Sequence, residues 1–91
     1  MALKLTIPTA LRRITKDADV AAVEPGTVKE IIARLDETYP GFRERLCEND
    51  DKLRRFINIY LDGEDIRFLD NLSTRVPDGA ELSIVLAIAG G

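Results

Sequence analysis

The chain has no histidine, one cysteine and one methionine, and aromatic residues make up 5% of its 91 positions. Without histidine, the side chain most often used to move protons near neutral pH is missing. It also contains no CxxC pair, GxSxG elbow or GxxxxGK phosphate loop, so the sequence signatures of redox, acyl-transfer and nucleotide-hydrolysing enzymes are absent. The lone Cys47 has no partner for an internal disulfide, which agrees with a reducing compartment, and a reactive thiol there is the lesser reading. The longest apolar run, Ile84 to Ala89, falls far short of the about 20 residues that span a bilayer. Met1 to Ile7 alternates instead of forming a continuous apolar segment and reads as a strand, not a signal peptide. Residence in the cytoplasm, away from membranes, is the expectation.

Basic charge is in short supply as well. Thirteen Lys and Arg stand against 16 Asp and Glu, for a net charge of -3, whereas a nucleic-acid binder normally carries a basic excess. Arg12-Arg13 and Arg54-Arg55 are local basic pairs among acidic neighbours, read first as solvated surface and second as contacts to an acidic partner. A chain of this length makes one domain and hides only about 60% of the surface its unfolded form exposes. No deep catalytic cavity is expected, and an enzyme is not the reading.

What is present is alternation, helical spacing and turn chemistry. Leu3, Leu5 and Ile7 share one face of a first strand that Pro8 ends. Thr9 to Thr15 reads as a long loop and Ala18 to Val23 as the returning strand. After Pro25-Gly26, Thr27 and Glu30 have the spacing of a capping box, and Val28, Ile31, Ile32, Leu35 and Tyr39 form one apolar stripe of a helix that Pro40-Gly41 stops. Phe42 to Leu46 adds a further turn, and Cys47 to Lys52 reads as an exposed loop. Phe56 to Leu61 alternates again, Asp62-Gly63 is a turn, and Glu64 to Phe68 is predicted to be its short paired strand. Glu81 to Ile88 is apolar on both alternating sets, as in a central strand. Strands with one main helix predict an α+β, two-layer domain over residues 1–88, with residues 89–91 as a flexible tail.

That tail carries the chemistry. Ala89-Gly90-Gly91 closes the chain, and a terminal glycine pair arises by chance in roughly 0.5% of sequences at the usual glycine frequency. Residues without Cβ atoms let another protein approach the backbone closely. The Gly91 carboxylate, an anion at neutral pH, becomes an electrophile once ATP converts it to an acyl-adenylate. If the helix covers the face bearing Ile57, Ile59, Leu82 and Ile84, then Phe56, Tyr60, Val85 and Ala87 project from the other face as a partner docking patch. Asp62, Glu64 and Asp65 are read as turn chemistry, not a cation site.

Through Ile7-Pro8-Thr9 with Leu11-Arg12, Arg55-Phe56-Ile57-Asn58-Ile59-Tyr60, Glu64-Asp65-Ile66-Arg67-Phe68 and the terminal Ala89-Gly90-Gly91, the chain resembles the ThiS/MoaD family of ubiquitin-like sulfur carriers, nearest the CysO-type branch. The resemblance implies a β-grasp fold with no bound cofactor and a monomer when free. It further implies adenylation of Gly91 by an E1-like enzyme that consumes ATP, with Ala89 and Gly90 as the recognised tail, and a Gly91 thiocarboxylate as sulfur donor. In that branch the sulfur goes to a pyridoxal-phosphate enzyme making cysteine, and a zinc metalloprotease frees the product. Related carriers serve molybdopterin, thiamin thiazole or homocysteine formation. Two other readings use the same fold: a modifier conjugated to lysines, and a passive interaction domain indifferent to Gly91.

Overall fold

The computed structural model describes residues 3–49 and 52–86. Leu3–Thr6 (β1) and Val20–Val23 (β2) form an antiparallel pair joined by a loop with a 3-10 turn at Thr9–Leu11. Leu3 and Leu5 are buried and Lys4 is exposed, as the two-residue alternation of a half-buried strand requires. The returning strand is shorter than Ala18 to Val23, because Lys16 and Asp17 take positive φ and turn the chain immediately before it. Thr15, buried at the loop's base, donates its hydroxyl to the Ala18 carbonyl at 3.0 Å.

Gly26–Thr27 (β3) leads directly into the main helix, Val28–Thr38 (α1). The capping box is complete: the Glu30 N–H donates to Thr27 Oγ1 at 3.2 Å, and the Thr27 N–H donates to Glu30 Oε1 at 2.8 Å. Arg34 clamps the entry by donating to the carbonyls of Glu24 and Pro25, each at 3.0 Å. A Cβ on Gly26 would lie 3.0 Å from Glu30 Oε1, so the close packing of this corner favours glycine. Thr27→Ala is expected to cost about 1 kcal/mol in chemical unfolding. The Thr27 backbone N–H, and then its hydroxyl, hold the Glu30 carboxyl below its ordinary value of 4.5. A carboxyl lowered by folding contributes stability that is present in full above its unfolded value and is lost as pH falls through the folded one. The gap in melting temperature between the wild type and Glu30→Ala should therefore close on acidification below that ordinary value; a gap that widens would contradict the box.

Val28, Ile31, Ile32 and Leu35 are buried and Tyr39 packs partly exposed at the helix end. Asp36 Oδ1 accepts from the N–H groups of Gly41 and Arg43, both at 3.1 Å, and so starts the short helix Phe42–Leu46 (α2). The segment predicted to be an exposed loop is different. Cys47–Asn49 (β4) pairs with Lys52–Leu53 (β5), and Cys47 is buried opposite Leu53. Leu46 and Leu53 are held in the core on either side, and a ribbon this short shows no periodicity that a sequence window could detect.

Ile57–Leu61 (β6) turns through Asp62 and Gly63, both at positive φ, into Glu64–Asp65 (β7), the backbone of a two-residue hairpin. The strand predicted to reach Phe68 ends at Asp65, because Asp65 Oδ1 accepts from the Arg67 N–H at 2.9 Å and closes a 3-10 turn over Ile66–Phe68. Arg75–Val76 (β8) pairs with β3, and Glu81–Leu86 (β9) is the last described strand.

The sheet order is β2-β1-β9-β6-β7. β9 lies parallel to β1 and antiparallel to β6, which gives the central placement its apolar composition predicts. Leu3, Leu5, Ile57, Ile59, Leu82 and Ile84 meet the apolar stripe of α1 in one core. A mixed sheet clasping one main helix is the β-grasp arrangement. No helix among the described residues is long and apolar enough to cross a membrane.

Candidate functional site

The site is built where β9 finishes. Leu86 pairs with Ile57 and Val85 with Asn58, so the chain reaches Leu86 at one end of the sheet, in its interior and not at an edge. Ala87, Ala89, Gly90 and Gly91 lie outside the described residues. Phe56, Tyr60 and Val85 can be placed. Phe56 and Val85 are 46% and 41% exposed, and Tyr60 is partly exposed. Pleating explains the outward set of Tyr60 and Val85, whose strand neighbours Ile59 and Ile84 face the helix, whereas Phe56 precedes β6 in a turn. Val20, Thr6, Ser83, Tyr60 and Asp65 form one rung across the open face, with Val85 and Asn58 on the rung nearer the end of β9.

Sequence reasoning missed the Arg67 brace beside this face. Arg67 Nη1 donates to Asn58 Oδ1 and Nη2 to the Ile57 carbonyl, each at 2.8 Å. The brace fixes the turn that holds Phe68, the most exposed large apolar side chain among the described residues at 83%, with Leu69 next to it at 39%. Arg67 and Phe68 stood in a recognised motif, but no local pattern tells that a short 3-10 turn will tie back to Asn58.

On the other side of Leu86 is a groove of about 290 Å³ lined by Ala10, Leu11, Glu44, Arg45, Arg54, Phe56 and Leu86. Arg54 is oriented by a 2.9 Å bond from Nε to the Glu44 carbonyl.

The other candidates resolve as structural parts. Asp62 Oδ1 accepts from the Glu81 N–H at 2.9 Å and Asp65 from Arg67, so both carboxylates serve the turn. Cys47 lines a cavity of only about 40 Å³ beneath Lys29, Ile32, Arg43 and Leu72, and its burial withdraws the thiol from solvent. The geometry therefore offers a partly apolar face and a charged groove around the end of a central strand. Exposed apolar side chains set beside charged ones in this way make the kind of surface on which proteins associate.

Comparison with known proteins agrees with this geometry. The ThiS family model matches residues 5–91. The chain is 38% identical over 93 residues to the sulfur carrier protein CysO of Mycobacterium tuberculosis, covering 100% of both. It is 33% identical over 91 residues, again 100% of both, to a putative sulfur carrier protein of Archaeoglobus fulgidus. Among solved structures it superposes on the Amycolatopsis orientalis BexX/CysO complex with a TM-score of 0.91 at 39% identity, covering 99% of this chain and 100% of that one.

Proposed function

The chain belongs to the ThiS family, and from that premise we propose that it is a sulfur carrier whose reacting group is the Gly91 carboxylate and whose sulfur goes into cysteine. The end-to-end match to a sulfur carrier protein carries the reading. The platform at the end of β9 supports it, since a partner must grip the domain to take hold of a short tail.

The chemistry follows from the acid. An ionised C-terminal carboxyl resists nucleophiles. One of its oxygens attacks the α-phosphorus of ATP in an E1-like enzyme, the α–β anhydride bond breaks, and pyrophosphate leaves. Hydrosulfide then attacks the carbonyl carbon and gives up its proton, and AMP leaves with the bridging oxygen, so that a thiocarboxylate remains without any change in oxidation state. Ala89 and Gly90, with little or no side chain, pass through the enzyme's channel. Phe56, Tyr60, Val85 and Ala87 form the docking patch. The downstream partners are a pyridoxal-phosphate-dependent synthase that takes the sulfur into an activated serine and a zinc metalloprotease that releases the product. The chain is thus a protein substrate and sulfur-donating co-substrate of these enzymes.

Incubating the protein with its own organism's E1-like enzyme, ATP and sulfide should give an intact-mass gain equal to exchange of one oxygen for sulfur, located by fragmentation at Gly91. A ladder of lysine conjugates in lysate, with no thioacid, would instead assign a modifier.

A further inference from the structure

We propose that the groove beside the end of β9 is an arginine-lined anchor for an acidic segment of the activating enzyme. The inference rests on the carrier reading and names the chemistry of the surface that receives the domain. A second concavity of about 340 Å³, lined by Ala10, Arg13, Ile14 and Arg45, shares Ala10 and Arg45 with the groove that ends at Leu86. The two adjoin and are together called the trough, to whose lining the fold brings Arg13, Arg45 and Arg54 from three separate stretches of chain. Glu44 is the one carboxylate in its lining, so a local excess of two positive charges sits on a chain whose net charge is -3. Among the described residues neither Arg13 nor Arg45 forms an ion pair, and both are exposed.

Three arginines lining adjoining surface with a single carboxylate among them leave local positive charge that an external anion can neutralise. Guanidinium forks bind carboxylates in bidentate fashion. The apolar walls at Leu11, Phe56 and Leu86 thin the water around such pairs and strengthen them. A nucleic acid is the poorer occupant, because the negative chain as a whole repels a polyanion at long range. A few Asp or Glu side chains meet the arginines within a Debye length, while the more distant carboxylates of the domain lie beyond it and are screened. Because Leu86 is one wall, a partner seated here holds the domain at the point from which its tail is reached.

The test measures ATP–pyrophosphate exchange by the purified E1-like enzyme of the same organism against carrier concentration, at low and moderate salt. Arg13→Glu and Arg45→Glu should each raise KM roughly tenfold at low salt with kcat preserved, and should flatten the salt dependence. Arg45→Lys should recover part of the loss. Lys52→Glu is the charge-matched control; the ion pair of Lys52 with Glu48, at 3.7 Å, joins two surface side chains, and the variant should behave as wild type. Unaltered melting temperatures establish that the variants fold. KM within twofold of wild type for both arginine reversals overturns the proposal, as does an equal effect from Lys52→Glu, which would reduce it to net charge. Retention of the wild type on single-stranded RNA through the same arginines, with KM unmoved, would assign the trough to nucleic acid and overturn it too. A wild-type chain that is never adenylated instead removes the carrier reading itself.

Discussion

Deleting Gly91, or adding one residue after it, should abolish formation of the adenylate while leaving the domain's melting temperature unchanged. One residue of extended backbone moves the terminal carboxylate by about 3.3–3.6 Å. In-line attack on the α-phosphorus tolerates far less, since a misplacement of about 1 Å costs on the order of 10²-fold. The variant chain still carries a carboxylate of ordinary acidity, so lost activity would report position and not the absence of a reactive group. Stability should hold because the core that supports the fold is built between Leu3 and Ile84. Tyr60→Asp and Val85→Asp provide the contrast: they alter the proposed docking face and should raise KM for the activating enzyme with kcat retained. A chain lacking Gly91 that still supports growth of its organism as the wild type does would leave a passive interaction domain as the reading.

Phe42→Ala should cost about 3–5 kcal/mol, the largest stability loss expected of a single substitution here. Phe42 is fully buried and heads the five-residue helix α2, which is too short to persist by its own hydrogen bonds and depends on burying Phe42 and Leu46. A domain of this size holds together by roughly 5–14 kcal/mol in total, so the melting temperature should fall by roughly 15–30 °C. Phe68→Ala removes the same ring from a side chain that is 83% exposed and should change stability by no more than about 0.5 kcal/mol. Thermal unfolding of the two variants side by side decides the matter; a greater loss at Phe68 than at Phe42 would invalidate the core assignment. If Phe68→Ala also weakens binding to the activating enzyme at unchanged stability, the docking face extends along the Arg67-braced turn.

The elements most legible from sequence are those whose cause is local. The capping box needs only Thr27 and Glu30 at the right spacing, the helix stripe needs only its own period, and the Asp62-Gly63 hairpin needs only two residues at ease with positive φ. The outward placement of Tyr60 and Val85 also followed, because pleating ties each of them to a buried neighbour; Phe56, expected beside them, lies in the turn before β6 and lines the groove with Leu11 and Leu86. Reading failed where a segment's conformation is decided by something distant. Cys47 pairs with Leu53 because the core holds both ends of that hairpin, and the predicted strand stops at Asp65 because its carboxylate and the Arg67 guanidinium find nearer partners than a ladder would offer.

By its own residues the chain determined its longer strands, its one main helix and the outward placement of Tyr60 and Val85, since each depends on spacing along a single stretch. The tertiary structure alone decided that β9 runs parallel to β1 in the sheet interior, that Arg67 braces Asn58, and that Arg13, Arg45 and Arg54 share one trough. Those juxtapositions join residues far apart in the chain, and only the packing of the common core brings them together.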